Sequence, residues 1–140
     1  MRLLALDTGP LVAFVDRREA LHHWTRRVFE SAPRPFVTCE AVLAEACFLL
    51  RGQRGGAEAV MGLVESGFIA ATFSLGKEAG AVNKLMVRYG NVPMSLADAC
   101  LVRISELRED ACVLTFDTDF AIYRRHGRQE IPLLMPESLS

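Results

Sequence analysis

The sequence predicts an α/β fold: a three-layer α/β/α sandwich around a central, mainly parallel sheet. Two patterns carry that expectation. Short apolar runs alternate along the chain with longer stretches whose apolar residues recur at helical spacing. Runs that short, alternating with helices, belong in a sheet covered on both faces. The length, 140 residues, suits one continuous hydrophobic core, so a single domain over 1–140 is expected.

The elements follow in order. Leu3 to Leu6 is a short apolar run that ends at Asp7, and Pro10 then suits the first turn of a helix. From Glu19 to Glu30, Leu21, Trp24, Val28 and Phe29 mark an amphipathic helix, closed by Pro33 and Pro35. Phe36 to Thr38 reads as a strand, and Val42, Ala46, Leu49 and Leu50 as a helix stopped at Arg51-Gly52. Ala57 to Ser66 is a further helix and Phe68 to Thr72 a strand. Ser74 caps a helix running to Tyr89, with Gly90 as its stop. Ser95 caps a helix to Leu107, Cys112 to Thr115 is a strand, Asp119 to Arg125 a short helix, and a last strand falls near Leu133.

Composition excludes several classes of protein. Apolar residues make up 51% and charged residues 24% of the chain, which argues against disorder. The apolar stretch from Leu3 to Val15 is interrupted by Asp7, Gly9 and Pro10, so it does not read as a signal peptide. No run approaches the roughly 18 apolar residues that span a bilayer. Cys39, Cys47, Cys100 and Cys112 lack C-x-x-C spacing and lie in apolar runs, so they read as buried free thiols and point to the cytoplasm. Net charge is −1 with a pI near 6.3. No global field therefore draws nucleic acid, and any such affinity must come from a local patch or a bound metal.

Four acids stand out against this background. Asp7 and Asp117 directly follow apolar strands, and in parallel α/β sheets ligands bind beyond the carboxyl ends of the strands. Glu45, in VLAEACFLL, and Asp98, in SLADACLVRI, interrupt apolar helix faces, where carboxylates are expensive unless paired or bound to metal. Converging carboxylates repel one another. A hard divalent cation relieves that repulsion, and oxygen-only ligands favour Mg²⁺ or Mn²⁺ over zinc. Such an ion can activate water for attack on a phosphodiester, which is hydrolytic nuclease chemistry.

Each acid also has a plainer role open to it. Asp7 can cap the helix that follows, Asp98 can close a capping box with Ser95, Glu45 can be a solvated helix residue, and Asp117 and Asp119 can be turn residues. The nuclease reading rests on all four falling at one sheet edge. A phosphatase or receiver domain also gathers acids at strand ends. However, Asp7-Thr8-Gly9 has no second nearby aspartate, and no lysine follows a late strand.

LDTGPLVAFVD, AVLAEACFLL, PMSLADACLVRI and VLTFDTDFAIYRR resemble, in order and spacing, the four acidic blocks of PIN-domain ribonucleases. The length and the TFDTDF block are most similar to VapC-type toxins of toxin–antitoxin pairs. The resemblance implies RNA cleavage by a metal-activated water leaving 3′-hydroxyl and 5′-phosphate ends, a homodimer, and a separate antitoxin protein. It implies catalytic and metal-binding roles for Asp7, Glu45, Asp98 and Asp117, a supporting hydroxyl at Thr115, and an accessory ligand at Asp119. Ser95 stands where many members carry a further acid. The alternative within the same resemblance is a catalytically idle RNA-binding or interaction module.

Arg124 and Arg125, nearest in sequence to Asp117 and Asp119, are the preferred RNA contacts; Arg51, Arg54, Lys84, Arg88 and Arg128 are further basic candidates. His22 and His23 take no catalytic role. Trp24, Phe29, Phe48 and Leu49 are expected in the core or at an interface.

Overall fold

The computed structural model describes residues 2–139. The strands among them are β1 (Leu3–Leu6), β2 (Phe36–Val37), β3 (Ile69–Ala70), β4 (Ala111–Leu114), β5 (Arg124–Arg125), β6 (Gln129–Glu130) and β7 (Leu133–Leu134). The helices are α1 (Thr8–Val15), α2 (His22–Ser31), α3 (Glu40–Leu49), α4 (Gly56–Glu65), α5 (Leu75–Arg88) and α6 (Leu96–Leu107). Five strands form one sheet in the order β3-β2-β1-β4-β7, with every pairing parallel. Helices flank it, as the alternation implies: α1 packs on α2 and α3, α3 on α4, and α5 on α6.

The central pair matters most for function. β1 and β4 run in register from Leu3 opposite Ala111 to Leu6 opposite Leu114. The chain therefore leaves both strands side by side, at Asp7 and Thr115. Both strands are almost wholly buried, and Leu6, Leu11, Phe36, Val42, Leu101, Leu114 and Phe120 around them are completely so. Cys39, Cys100 and Cys112 are buried free thiols, and Cys47 is half-buried.

Several elements differ from expectation. α2 begins at His22 rather than Glu19 because Asp16 organises a turn first. Its Oδ1 accepts from the Arg18 amide (2.9 Å), and the His22 amide donates to Glu19 O (3.0 Å). The His22 ring then meets Ala13 O at 2.7 Å, pinning the start of α2 onto α1. The third strand is only Ile69–Ala70. The stretch expected as a helix from Asp119 to Arg125 is a 3₁₀ turn over Thr118–Ala121, and Arg124–Arg125 pairs antiparallel with Gln129–Glu130. His126 (φ 52°) and Gly127 (φ 79°) turn that hairpin in left-handed conformations, which glycine adopts without strain.

Phe29 is in the core, but Phe48 and Leu49 are 60% and 54% exposed. The buried stripe of α3 is Val42, Leu43, Ala46 and Leu50, so the next positions around the helix face outward.

Candidate active site

Asp7 stands where β1 ends and α1 begins. Its Oδ1 accepts from the Thr8 amide (2.8 Å), so it does cap the helix. Its Oδ2 accepts from Thr115 Oγ1 at 2.6 Å. That hydroxyl in turn accepts from the Asp117 amide (2.9 Å), so Thr115 ties the ends of both central strands together. Asp117 caps the 3₁₀ turn through Oδ1, which accepts from the Asp119 amide (2.9 Å), and its Oδ2 has no hydrogen bond among the described residues.

Asp98 sits in the first turn of α6. The capping box forms: Ser95 Oγ accepts from the Asp98 amide (3.0 Å), and Asp98 Oδ2 accepts from the Ser95 amide (3.4 Å). The same Oδ2 also accepts from the Tyr123 hydroxyl at 3.0 Å, leaving Oδ1 without a protein donor among the described residues. Capping and a place in the site are thus not alternatives for these aspartates. One oxygen of Asp98 and one of Asp117 hold the backbone, and the other stays free.

Asp7, Glu45, Asp98 and Asp117 all line one cleft of about 400 Å³ beyond the carboxyl ends of β1 and β4, with Thr8, Gly9, Ser95 and Phe116 also in its wall. Glu45 departs from the sequence expectation. It is exposed rather than buried, because it projects from the outward side of α3 onto the rim. Asp119 is not among the residues lining the cleft.

Burial pushes the Asp7 carboxyl up to about 6, helped by the charges of Asp98 and Asp117 and opposed by the Thr115 and Thr8 bonds. Burial also raises Asp98, against the pull of Tyr123, and the charge of Asp117 adds to the rise. The Tyr123 phenol is raised in turn, first by its own burial and then by Asp98, so it remains a donor. Tyr123 is fully buried and packs edge-on to Tyr89 and Phe120, with centroids 5.1 and 5.2 Å away. Sequence reasoning passed over it. The available signal was a tyrosine three residues after Phe120 in an apolar segment, since a buried phenol needs a partner.

Replacing Tyr123 with phenylalanine keeps the ring and removes the donor from a buried carboxylate. Urea denaturation at neutral pH is expected to show a loss of about 1–3 kcal/mol; an unchanged midpoint would show that the bond does not hold Asp98.

The arginines nearest this site serve another purpose. Arg124 Nη1 donates to the carbonyls of Ala121 (2.8 Å), Tyr123 (3.0 Å) and Ile122 (3.2 Å). Arg125 Nη1 donates to Ser105 O (3.2 Å) and Glu109 O (3.4 Å), its side chain is 11% exposed, and its Nε is buried without a partner. Both guanidiniums close off carbonyls and fasten the hairpin. Neither lines the acidic cleft.

The donor set suits a hard cation. Oδ1 of Asp98 and Oδ2 of Asp117 have no hydrogen bond among the described residues, burial and then neighbouring charge raise Asp7 and Asp98, and Thr8 Oγ1 in the same wall is buried without a partner. Among the described residues no three Asp, Glu, His or Cys side chains stand close enough to form a ready metal site. Carboxylates spread around one cleft are compatible with Mg²⁺, which keeps several of its waters and takes few direct protein ligands.

Comparison with known proteins follows the same lines. The family model described as PIN domain matches residues 4–125. The crystal structure of Mycobacterium tuberculosis VapC20, a sarcin-ricin loop cleaving toxin, superposes with a TM-score of 0.74 over 85% of this chain and 93% of that one, at 22% identity. That likeness is one of fold. No curated protein matches the chain in sequence.

Proposed function

The chain belongs to the PIN-domain family, and on that premise we propose that it is a metal-dependent endoribonuclease, the toxin of a toxin–antitoxin pair. The observation that carries the reading is the cleft itself: Asp7, Glu45, Asp98 and Asp117, from four separate stretches of chain, line one depression at the sheet edge. Asp7, Asp98 and Asp117 would hold a Mg²⁺ or Mn²⁺, with Glu45 on the rim. Asp119, one residue beyond the 3₁₀ turn's first position, is an accessory at most. Bound there, the ion would supply Lewis acidity toward water and the phosphodiester oxygens.

The chain's own residues prepare that site. Thr115 fixes Asp7 and the Asp117 backbone relative to each other, and the Tyr123 hydroxyl and Ser95 amide hold Oδ2 of Asp98 in place. Glu45, exposed and without a hydrogen-bond partner among the described residues, is free to take a proton from water at the rim.

RNA as substrate is supported by the fold shared with the VapC20 toxin. A separate antitoxin and a homodimer complete the reading. The exposed Phe48 and Leu49 on α3 offer apolar surface to a protein partner. No helix among the described residues is long and apolar enough to cross a membrane.

The test is direct. Purified protein with Mn²⁺ is expected to cut structured RNA internally, leaving 5′-phosphate ends, and to stop on addition of EDTA. Binding of Mn²⁺ with no cleavage of any RNA offered would favour the idle binding module instead, and cleavage undiminished in EDTA would remove the metal from the proposal.

A further inference from the structure

With Arg124 and Arg125 committed to the hairpin, and a net charge of −1, a nuclease of this kind still needs a local cationic surface to draw a polyanion. A second depression, of about 430 Å³, lies between the ends of α1 and α3 and is lined by Arg17, Arg18 and Arg54, with Asp16 and Gln53. Asp16 is occupied: its Oδ1 accepts from the Arg18 amide (2.9 Å) and lies 3.3 Å from Arg18 Nε. Arg18 remains 79% exposed beyond that contact. Arg17 and Arg54 are exposed and have no carboxylate partner among the described residues.

The loop that carries Arg54 is tightly wound. The Gln53 amide donates to Leu50 O (2.9 Å), and a Cβ on Gly56 would stand 2.7 Å from that same carbonyl, so only glycine fits. Arg51 on the same loop is anchored, with its guanidinium 3.8 Å from the Phe48 ring centroid and Nη1 donating to Phe48 O.

The residues around this depression directly follow, in sequence, those around a furrow that reaches the acids. A furrow lined by Val12, Ala13, Leu21 and Leu49, with the exposed Glu19 at its wall, lies beside α1 and shares Gly9, Leu49 and Phe116 with the acidic cleft. The arginine depression is lined by the segments that leave α1 and α3, with no residue shared with the furrow. At ~1.5 Å of rise per helical residue, Glu45 to the end of α3 covers about 6 Å and the length of α1 about 10 Å, distances that a short run of single-stranded nucleotides bridges.

We propose that Arg17, Arg18 and Arg54 form a backbone-phosphate site for single-stranded RNA, flanking the scissile bond beyond the furrow beside α1. The inference rests on the nuclease reading for the class of its ligand. Guanidinium groups present paired donors to phosphate oxygens, whereas the furrow, apolar apart from Glu19, offers surface on which bases can lie. Such contacts hold the strand in place and carry little sequence information.

The experiment measures binding of a fluorescein-labelled single-stranded RNA by anisotropy in EDTA, where nothing is cut, across a salt series. For the Arg17→Gln/Arg54→Gln variant the Kd is expected to rise roughly tenfold at low salt, and the slope of log K against log salt to fall by about 1.4, two contacts at ~0.7 each. An Arg26→Gln/Arg108→Gln control, altered elsewhere on the surface, is expected to keep the wild-type slope. Wild-type affinity and slope in the first variant would overturn the proposal, as would an equal fall in the control. So would loss of antitoxin binding with RNA binding intact, since the surface would then serve a protein. Calorimetry with Mn²⁺ separates the two readings: metal binding unchanged beside weakened RNA binding is the expected pair. RNA held by the arginines but never cut would sink the nuclease reading alone.

Discussion

Asp7→Asn is expected to abolish RNA cleavage, by at least about 10³-fold, while making the metal-free protein more stable at alkaline pH. The two effects share one cause. Asp7 is 7% exposed, and its carboxyl is pushed up to about 6 from 3.8, chiefly by burial. Because the folded-state value is the higher one, the native protein holds the proton longer than the unfolded chain. The stability linked to Asp7 is therefore fully present below pH 3.8, and about 3 kcal/mol of it is lost as pH rises through 6, where the buried carboxylate ionises. Asparagine cannot ionise, so the slope disappears.

Part of the gain is given back. Asp7 accepts two hydrogen bonds, from the Thr8 amide and from Thr115, and an asparagine oxygen with one amide beside it serves only one of them well. A net gain of about 1–2 kcal/mol at pH 8 is the expectation. Urea denaturation in EDTA at pH 5 and pH 8 measures it. Identical pH dependence in wild type and variant would show that the carboxyl is not destabilised by burial. Retained cleavage would remove Asp7 from the site. Adding Mg²⁺ is expected to stabilise the wild type and leave the variant unchanged, because the ion favours the ionised carboxylate.

The largest loss of stability is expected from Phe29→Ala, at about 3–5 kcal/mol. Phe29 is 1% exposed and sits in an aromatic cluster, with centroids 4.3 Å from Phe14, 4.6 Å from Phe36 and 5.8 Å from Phe68. Those rings belong to α1, to β2 and to the segment entering β3, so Phe29 joins α2 to the outer half of the sheet. Arg34 closes the cluster from outside, 4.1 Å from the centroid of Phe68. Truncation leaves a cavity that none of the remaining rings can fill without abandoning its own strand or helix. A shift in the urea midpoint equivalent to less than about 1 kcal/mol would mean that the cluster collapses around the gap.

Where the chain's instructions are local, they were legible. Ser74 and Ser95 cap α5 and α6 as their positions imply, and β1 and β4 coincide closely with their apolar runs. The same holds for the order of the acids: Asp7 and Asp117 follow strands because the parallel β1–β4 pair delivers both chain ends to one edge. The start of α2 was misplaced because Asp16 stabilises a turn that helical periodicity does not reveal. β5 falls in a stretch expected to be helix because Arg124 and Arg125 are good helix formers, whereas its pairing with β6 is decided across the turn at His126 and Gly127.

Sequence alone determined the layered α/β architecture and which acids meet at its edge, since strand and helix periodicity, capping residues and turn breakers act within a few residues. Tertiary structure decided what each side chain does there. The Thr115–Asp7 bond joins residues 108 apart, and Tyr123 reaches Asp98 across 25. It also placed Glu45 on the rim rather than in the core, and drew the Arg125 guanidinium into the α6 terminus while leaving Arg17 and Arg54 open to solvent. The direction of a side chain depends on the partners that the completed fold brings within about 3 Å, and no local pattern encodes a partner so far along the chain.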